Sequence, residues 1–359
     1  MRTLVIGGTR NLGPSLVAGL IDRGDTVSVL HRGQTAYAFS AKVEELFADR
    51  SDANQLRSVV GTRSFDLVVD TTLYNAPDAE TAISLFTGRT AQYIVLSTGQ
   101  VYLVRTNVSR PSSEGEYDGS TIAALPLEHP DFKPWSYGIH KRAAEDALFA
   151  AHRQAGFPVT VLRLPMVNSE RDHFGRIANY LARMEDGGPI LVPSGPHLNL
   201  RHIYGGDVVT AILGASRMSQ SIGQAYNISQ DETLSIDDFL SILGKLIGVT
   251  PQILRVSRQV LVEKGLMPHA SPFSDPWMSE LDNQKSKADL GMVYTPLTVY
   301  LRNLVNDYQA KGRRPEGYQQ RPEERKLVEN GQQPRCPTDR EKEISPIIAG
   351  VNPLSRQQS

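Results

Sequence analysis

Along the first 165 residues, short apolar runs alternate with segments of helical period. Thr3–Ile6, Thr26–Leu30, Leu67–Val69, Tyr93–Leu96 and Val159–Leu162 read as strands, while Pro14–Arg23, Ala53–Val60, Ala76–Phe86 and Ser136–Gln154 repeat their apolar residues at helical spacing. Strands that are apolar at nearly every position suit burial on both faces. The pattern therefore predicts an α/β fold, a doubly wound parallel sheet covered by helices on each side.

After Pro165 the rhythm changes. Phe174–Met184 reads as a helix, Gly187–Ser194 holds a short strand, and Ser235–Ile247 is a helix with Ser235 at its cap and Asp237 and Asp238 in its first turn. Arg201–Ser216 reads as a strand and helix returning to the first sheet. This predicts a first domain over 1–166 with 201–216 added, and a smaller, discontinuous C-terminal substrate lobe over 167–310. From Lys311 the chain is rich in Arg, Glu, Gln, Pro and Gly, and 311–359 is expected to be a largely unstructured tail or surface arm.

Composition narrows the function. The 359 residues carry 38 basic and 39 acidic side chains, a net charge of −1, which weighs against a nucleic-acid or anionic-membrane partner. The single Cys336 cannot form an internal disulfide, and no Cys/His spacing suits a metal. No apolar stretch reaches the roughly 20 residues of a membrane span, and Arg10 and Asn11 interrupt the apolar N-terminus, which argues against a signal peptide. A soluble cytoplasmic enzyme is the expectation.

Two local motifs carry chemistry. In Val5-Ile-Gly7-Gly8-Thr9-Arg10-Asn11-Leu12-Gly13 a strand runs into glycines and a helix follows, a turn that can present backbone N–H groups and a helix N-terminus to a diphosphate. The spacing differs from the usual G-x-G-x-x-G, so the same residues also fit an ordinary strand–helix loop. The next strand ends in Leu30-His31-Arg32-Gly33, without the acid that would receive a ribose hydroxyl in an NAD site. Arg32, aided by Arg10, can instead pair with a 2′-phosphate, so NADP is expected, with NAD as the alternative. Both arginines could equally be solvated loop residues.

The second motif is Tyr137-Gly-Ile-His-Lys141, a phenol and an ammonium one helical turn apart. A free phenol titrates at about 10, and a neighbouring cation lowers that value, which makes the tyrosine a usable proton exchanger. Alone the pair is weak evidence, since two surface residues of an amphipathic helix look the same. Upstream, Tyr93–Tyr102 is a strand ending in Ser97 and Thr98, where a parallel sheet gathers its ligands.

Together, Gly7-Gly8-Thr9-x-x-x-Gly13, Ser97-Thr98-Gly-Gln-Val-Tyr102 and Tyr137-x-x-x-Lys141 resemble the short-chain dehydrogenase/reductase superfamily, in its extended or atypical branch of NAD-dependent epimerases and dehydratases. Asp49 in Ala-Asp-Arg-Ser-Asp, Leu162-Arg163-Leu-Pro165 and Arg201–Asp207 extend the match over about residues 1–310. The resemblance implies a Rossmann sheet with Tyr137 as acid/base, Lys141 lowering its pKa and holding the nicotinamide ribose, and Thr98 positioning the substrate oxygen. By the same resemblance Gly7, Thr9 and Gly13 shape the diphosphate turn, Asp49 caps the adenine and Pro165 lies beside the nicotinamide; Arg10, Asn11, Leu12, Arg32 and Thr71 are expected to contact the cofactor with them. It also implies a homodimer through Ala76–Phe86 and the helix of Tyr137.

Two departures stand out. Arg10 replaces the middle glycine, as in a subgroup that includes RNA-associated chloroplast stem-loop-binding proteins, and Asp70-Thr-Thr-Leu-Tyr74 replaces a small apolar segment. The leading expectation is an NADP(H)-dependent oxidoreductase acting on a small carbonyl or alcohol. The alternatives are a redox-neutral nucleotide-sugar epimerase or dehydratase that retains its NAD(P), a non-catalytic dinucleotide-binding or RNA-associated protein, and a sensor of the dinucleotide redox ratio. In the second lobe Arg171, Arg176, Arg201 and His202 could hold a substrate diphosphate or simply face solvent, and Trp277 could line the substrate cleft or fill the lobe's core.

Overall fold

The computed structural model describes residues 1–35, 37–40 and 43–329. Strands β1 (Arg2–Ile6), β2 (Thr26–His31), β3 (Glu44–Phe47), β4 (Phe65–Asp70), β5 (Thr90–Thr98) and β6 (Val159–Leu164) join Gln224–Asn227 in one sheet. All pairings are parallel, and the order across the sheet is Gln224–Asn227, β6, β5, β4, β1, β2, β3. The chain winds outward from β1 in one direction through β3, then crosses to β4 and continues the other way. The reversal leaves a crevice beyond the C-terminal ends of β1 and β4.

Both faces of the sheet are buried, as the continuous apolar runs predict. Val5, Leu67, Val69 and Ile94 pack on the side of helix α1 (Gly13–Asp22) and Gly205–Ala215. Their neighbours Leu4, Ile6, Val68, Tyr93 and Val95 pack on the side of α2 (Ala53–Val60), α3 (Ala76–Phe86) and α5 (Phe132–Ala155), which the short α4 (Gln100–Leu103) precedes. A separate core lies beyond the sheet, where helices Arg176–Glu185, Ile236–Ile247 and Leu297–Lys311 enclose Tyr180, Leu181, Phe239, Leu240, Tyr300 and Leu301. Ser235 caps Ile236–Ile247 as expected, its hydroxyl accepting from the Asp238 N–H at 3.0 Å.

Three features differ from expectation. Ile203–Tyr204 pairs with Val167–Asn168 in a small separate sheet, so only the helix Gly205–Ala215 of the 201–216 segment returns to the main layer; the added strand is Gln224–Asn227. Trp277 fills neither the cleft nor its own lobe's core. It packs between Leu103, Val104, Trp135 and Ile139 of the first lobe and donates to Asp131 at 2.9 Å.

The third concerns the chain after Lys311. Residues 316–320 form a 3-10 turn and Arg321–Glu329 a helix, rather than an unstructured tail. Composition hid this because the segment docks by ion pairing. Arg321 reaches Asp186 at 2.7 Å and Glu324 at 2.8 Å, and the buried Glu324 also pairs with the buried Arg183. The remainder of the expected tail, 330–359 with Cys336, lies outside the described residues.

Candidate functional site

The turn after β1 is built from backbone that few residues can adopt. Gly7 and Gly8 have φ of 89° and 126°, and Asn11 stands at 48°. A Cβ on Gly13 would run into the Gly8 backbone, and one on Gly7 into Thr71. The turn delivers α1 to the crevice with Leu12 at its cap and no side chain bonded to its first N–H groups. By contrast, α2 and α3 are capped by Asp52 and Asn75. Gly13 N–H already donates to the Arg10 carbonyl at 2.9 Å and Pro14 has none, so a diphosphate here would rely on the backbone of the glycine turn and the positive end of the helix rather than on a row of open N–H groups.

The crevice has a volume of about 610 Å³, and each residue expected from the sequence to act in catalysis or contact the cofactor borders it: Gly7, Thr9, Arg10, Asn11, Leu12, Gly13, Arg32, Asp49, Thr71, Thr98, Tyr137, Lys141 and Pro165. At one end, His31 is held by Glu45 at 2.8 Å and by the edge of Phe47, which leaves the exposed Arg32 at the rim. Arg10 donates from Nε to the Thr35 hydroxyl at 2.9 Å, so its cation leans toward the same rim. Asp49 accepts from the Ser51 N–H at 2.9 Å and the Ser51 hydroxyl at 2.7 Å; these bonds, with Arg32 nearby, hold its carboxyl below the usual range.

At the other end stand the hydroxyls. Tyr137 is 36% exposed overall, but its hydroxyl is the enclosed part and hydrogen-bonds with Thr98. Burial and the neighbouring Tyr74 phenol push its pKa up to about 12, against the partial relief that the Thr98 bond provides. From its spacing, Lys141 is expected to lower this value. Instead the buried Lys141 donates to the carbonyls of Leu73 and Leu96, both at 2.7 Å, and one of its three N–H bonds is left over. Burial brings the ammonium down to about 8, opposed by Glu145, Asp70 and Asp78.

Several groups around the crevice escaped the sequence reading. Asp70, fully buried at the end of β4, accepts from Arg50 Nε at 3.0 Å and the Tyr93 hydroxyl at 2.6 Å, and Arg50 also donates to the Asp78 carbonyl. A carboxylate ending a central strand demands such a partner, a signal that the odd Asp70-Thr-Thr-Leu-Tyr74 segment did contain. Below β5, Ser97 donates to Glu145, which Arg163 grips with Nε at 3.0 Å and Nη2 at 2.6 Å. Ser169 donates to Asn11 at 2.5 Å, joining the second lobe to the glycine turn. No sequence pattern marks that pair, since 158 residues separate them.

The second lobe's other basic residues divide. Arg171 and Arg176 border a neighbouring cleft, while His202 is wholly buried and held down to about 3 by desolvation, a neutral core side chain. Asp207 holds Thr295 through both its N–H and its hydroxyl, a structural role. Among the described residues no helix is long and apolar enough to cross a membrane.

Known proteins resemble this arrangement. The family model described as the NAD dependent epimerase/dehydratase family matches residues 3–229. The UDP-glucose 4-epimerase of Thermotoga maritima, solved with UDP-glucose, superposes with a TM-score of 0.69 at 19% identity, over 87% of this chain and 100% of that one. The dTDP-glucose 4,6-dehydratase of Bacillus anthracis, solved with NAD, gives 0.65 at 15% identity over 86% and 97%. At these identities the likeness is one of fold. The chloroplast stem-loop binding protein of 41 kDa b from Arabidopsis thaliana is 24% identical over 262 residues, 69% of this chain and 63% of that protein.

Proposed function

The chain belongs to the NAD dependent epimerase/dehydratase family, and from that premise we propose that it is a nicotinamide-dinucleotide oxidoreductase that reduces a carbonyl group, with Tyr137 as the proton donor. The observation that carries this reading is the Thr98–Tyr137 hydrogen bond within the crevice that opens at the uncapped start of α1. The glycine turn would hold the diphosphate, Asp49 the adenine, and the spare N–H of Lys141 a ribose hydroxyl. Bound there, a reduced nicotinamide supplies the hydride.

The protein's part is orientation and a proton. A phenol raised to about 12 remains protonated at neutral pH, so Tyr137 is set to give a proton to an oxygen rather than to take one. Thr98 shares that oxygen's position and fixes its direction. The buried Lys141 charge favours the negative oxygen that develops as the carbonyl is reduced. Arg32, with Arg10 leaning toward it, supports a preference for NADPH through a 2′-phosphate.

A redox-neutral reaction with retained cofactor is the second reading, and the Ser169–Asn11 bond bridging the two lobes at the glycine turn favours it. The deciding experiment offers ketones, aldehydes and nucleotide sugars to the NADPH-loaded chain and follows both product and reduced nicotinamide. Stoichiometric NADPH loss that disappears in Tyr137→Phe is the expected result. Product without net NADPH loss supports the retained-cofactor reaction, and turnover untouched by Tyr137→Phe overturns both.

A further inference from the structure

The strand that carries Thr98 outruns one of its neighbours. β5 pairs with β4 as far as Val95, and from there to Thr98 it is held in the sheet by β6 alone. A strand end laddered on one side keeps some freedom to pivot, yet Thr98 meets the Tyr137 phenol through a single hydrogen bond. The missing support comes from α5. Tyr137, Lys141 and Glu145 follow one another at intervals of four, so all three lie on one face of that helix. Between them they hold the last three residues of β5. Tyr137 bonds with the Thr98 hydroxyl, Lys141 donates to the Leu96 carbonyl at 2.7 Å, and Glu145 accepts from the Ser97 hydroxyl.

The Ser97–Glu145 bond takes no part in the chemistry described for the crevice. Ser97 follows Tyr93 and Val95, by the alternation of the strand, onto the face of the sheet that α5 covers, so its hydroxyl is turned to Glu145. The acceptor cannot drift. Arg163, the neighbour of Ser97 in the β6 register, grips Glu145 with Nε at 3.0 Å and Nη2 at 2.6 Å. The same guanidinium donates from Nη1 to the Tyr102 hydroxyl at 2.7 Å and lies 4.2 Å from the Tyr117 ring centroid. Tyr102 in turn donates to Asn227 at 2.8 Å. Ser97, Glu145, Arg163, Tyr102 and Asn227 are all buried. The ion pair of Glu145 with Arg163 is complete without Ser97, so the serine is not needed to neutralise either charge. What it adds is a fixed point one residue before Thr98.

We propose that Ser97 is a positioning residue: by donating to Glu145 it holds the end of β5 against α5 and so sets the Thr98 hydroxyl against the Tyr137 phenol. The use made of that alignment rests on the reading of Tyr137 as the proton donor; the alignment itself does not. Hydrogen bonds weaken steeply as they bend, and a displacement of about 1 Å between reacting groups costs roughly a hundredfold in rate. One buried hydroxyl on the far side of the strand therefore governs a contact it does not touch.

The test observes the Tyr137 phenol directly, by NMR of the full chain carrying tyrosine labelled at Cζ. The Tyr137 resonance is identified by its loss in Tyr137→Phe. Thr98→Ala, which removes the partner, sets the shift that marks a lost bond. Ser97→Ala should move the resonance in the same direction by a comparable amount, and Ser97→Thr, which restores the hydroxyl, should return it. Glu145→Gln separates stability from positioning: its amide oxygen still accepts from Ser97, but Arg163 loses its counter-charge. Its Tm should fall further than that of Ser97→Ala while the resonance moves less. A Ser97→Ala resonance at the wild-type position, or shifts that merely follow the loss of Tm across the variants, overturn the proposal. If Thr98→Ala also leaves the resonance in place, the Thr98–Tyr137 bond is absent and the reading of the crevice falls with the proposal. If the resonances behave as expected but turnover is untouched by Tyr137→Phe, the positioning stands and only the proton-donor reading fails.

Discussion

Replacing Glu324 tests whether the segment after Lys311 is part of the fold. Arg183 is wholly buried, and Glu324 receives its Nε at 3.0 Å and its Nη2; the Asn179 and Gly317 oxygens accept the rest. Glu324→Ala therefore leaves a full guanidinium charge in the interior with its main counter-charge gone. Breaking a buried pair from one side costs about 3–5 kcal/mol, since the remaining charge is neither hydrated nor compensated. At ~2 °C per kcal/mol for a chain of this size, Tm should fall by about 6–10 °C.

The neighbouring Glu323 supplies the control. Its pair with Lys326 is more than 60% exposed on both sides, so Glu323→Ala should stay within about 0.5 kcal/mol of wild type. Urea unfolding followed by tryptophan fluorescence measures both variants, and Glu324→Gln, which keeps the shape and an acceptor, should fall between them. If Glu324→Ala proves as mild as Glu323→Ala, the helix Arg321–Glu329 is not docked as described.

Other expectations concern the crevice. Tyr137→Phe should lower turnover by about two to four orders of magnitude while NADPH affinity, read by nucleotide fluorescence, changes little; retained activity would remove the proton-donor role. Arg32→Ala should weaken NADPH about tenfold more than NADH, and equal losses would refute the 2′-phosphate contact. Dinucleotide binding should weaken as pH rises through about 8, where Lys141 loses its charge. Because that value lies below the unfolded lysine's, burial of the charged form destabilises the fold below about pH 8 and the penalty fades as pH rises, so a binding loss there with undiminished Tm separates the two effects. Ser169→Ala should raise the NADPH dissociation rate measured by stopped flow, and an unchanged rate would free the Asn11 bridge of any part in retention.

What could be read from the sequence was whatever is local. The central strands are apolar at successive positions because both faces are buried, and the glycine turn and the Tyr137–Lys141 pair each occupy a few adjacent residues. The two edge strands were not legible. Glu44-Glu45-Leu46-Phe47 buries only Leu46, and Gln224-Ala-Tyr-Asn is polar at both ends, so neither has the run or the alternation that marks a strand. The helix after Lys311 was hidden for a different reason. Of its buried positions only Leu327 is apolar; the others are filled by Arg321 and Glu324, whose partners lie 135 and 141 residues away. Lys141 shows the same limit at the site: its spacing from Tyr137 is visible in sequence, whereas its carbonyl partners at Leu73 and Leu96 come from two other elements.

Those carbonyls give the unusual Asp70–Tyr74 segment a purpose. One end is tied to the Asp49 side of the crevice, because Arg50, next to Asp49, grips Asp70 and reaches the Asp78 carbonyl. The other end is tied to the Tyr137 side, because Lys141 holds Leu73 and lies 5.7 Å from the Tyr74 ring centroid. Thr71, between the two ties, donates to the Ile6 carbonyl at 3.0 Å, directly before the glycine turn. A small apolar segment could still offer Lys141 a backbone carbonyl, but it could not receive Arg50 or give the Thr71 hydroxyl bond. The charged one fixes both halves of the crevice to a single loop, so little ordering is left for a dinucleotide to impose when it binds.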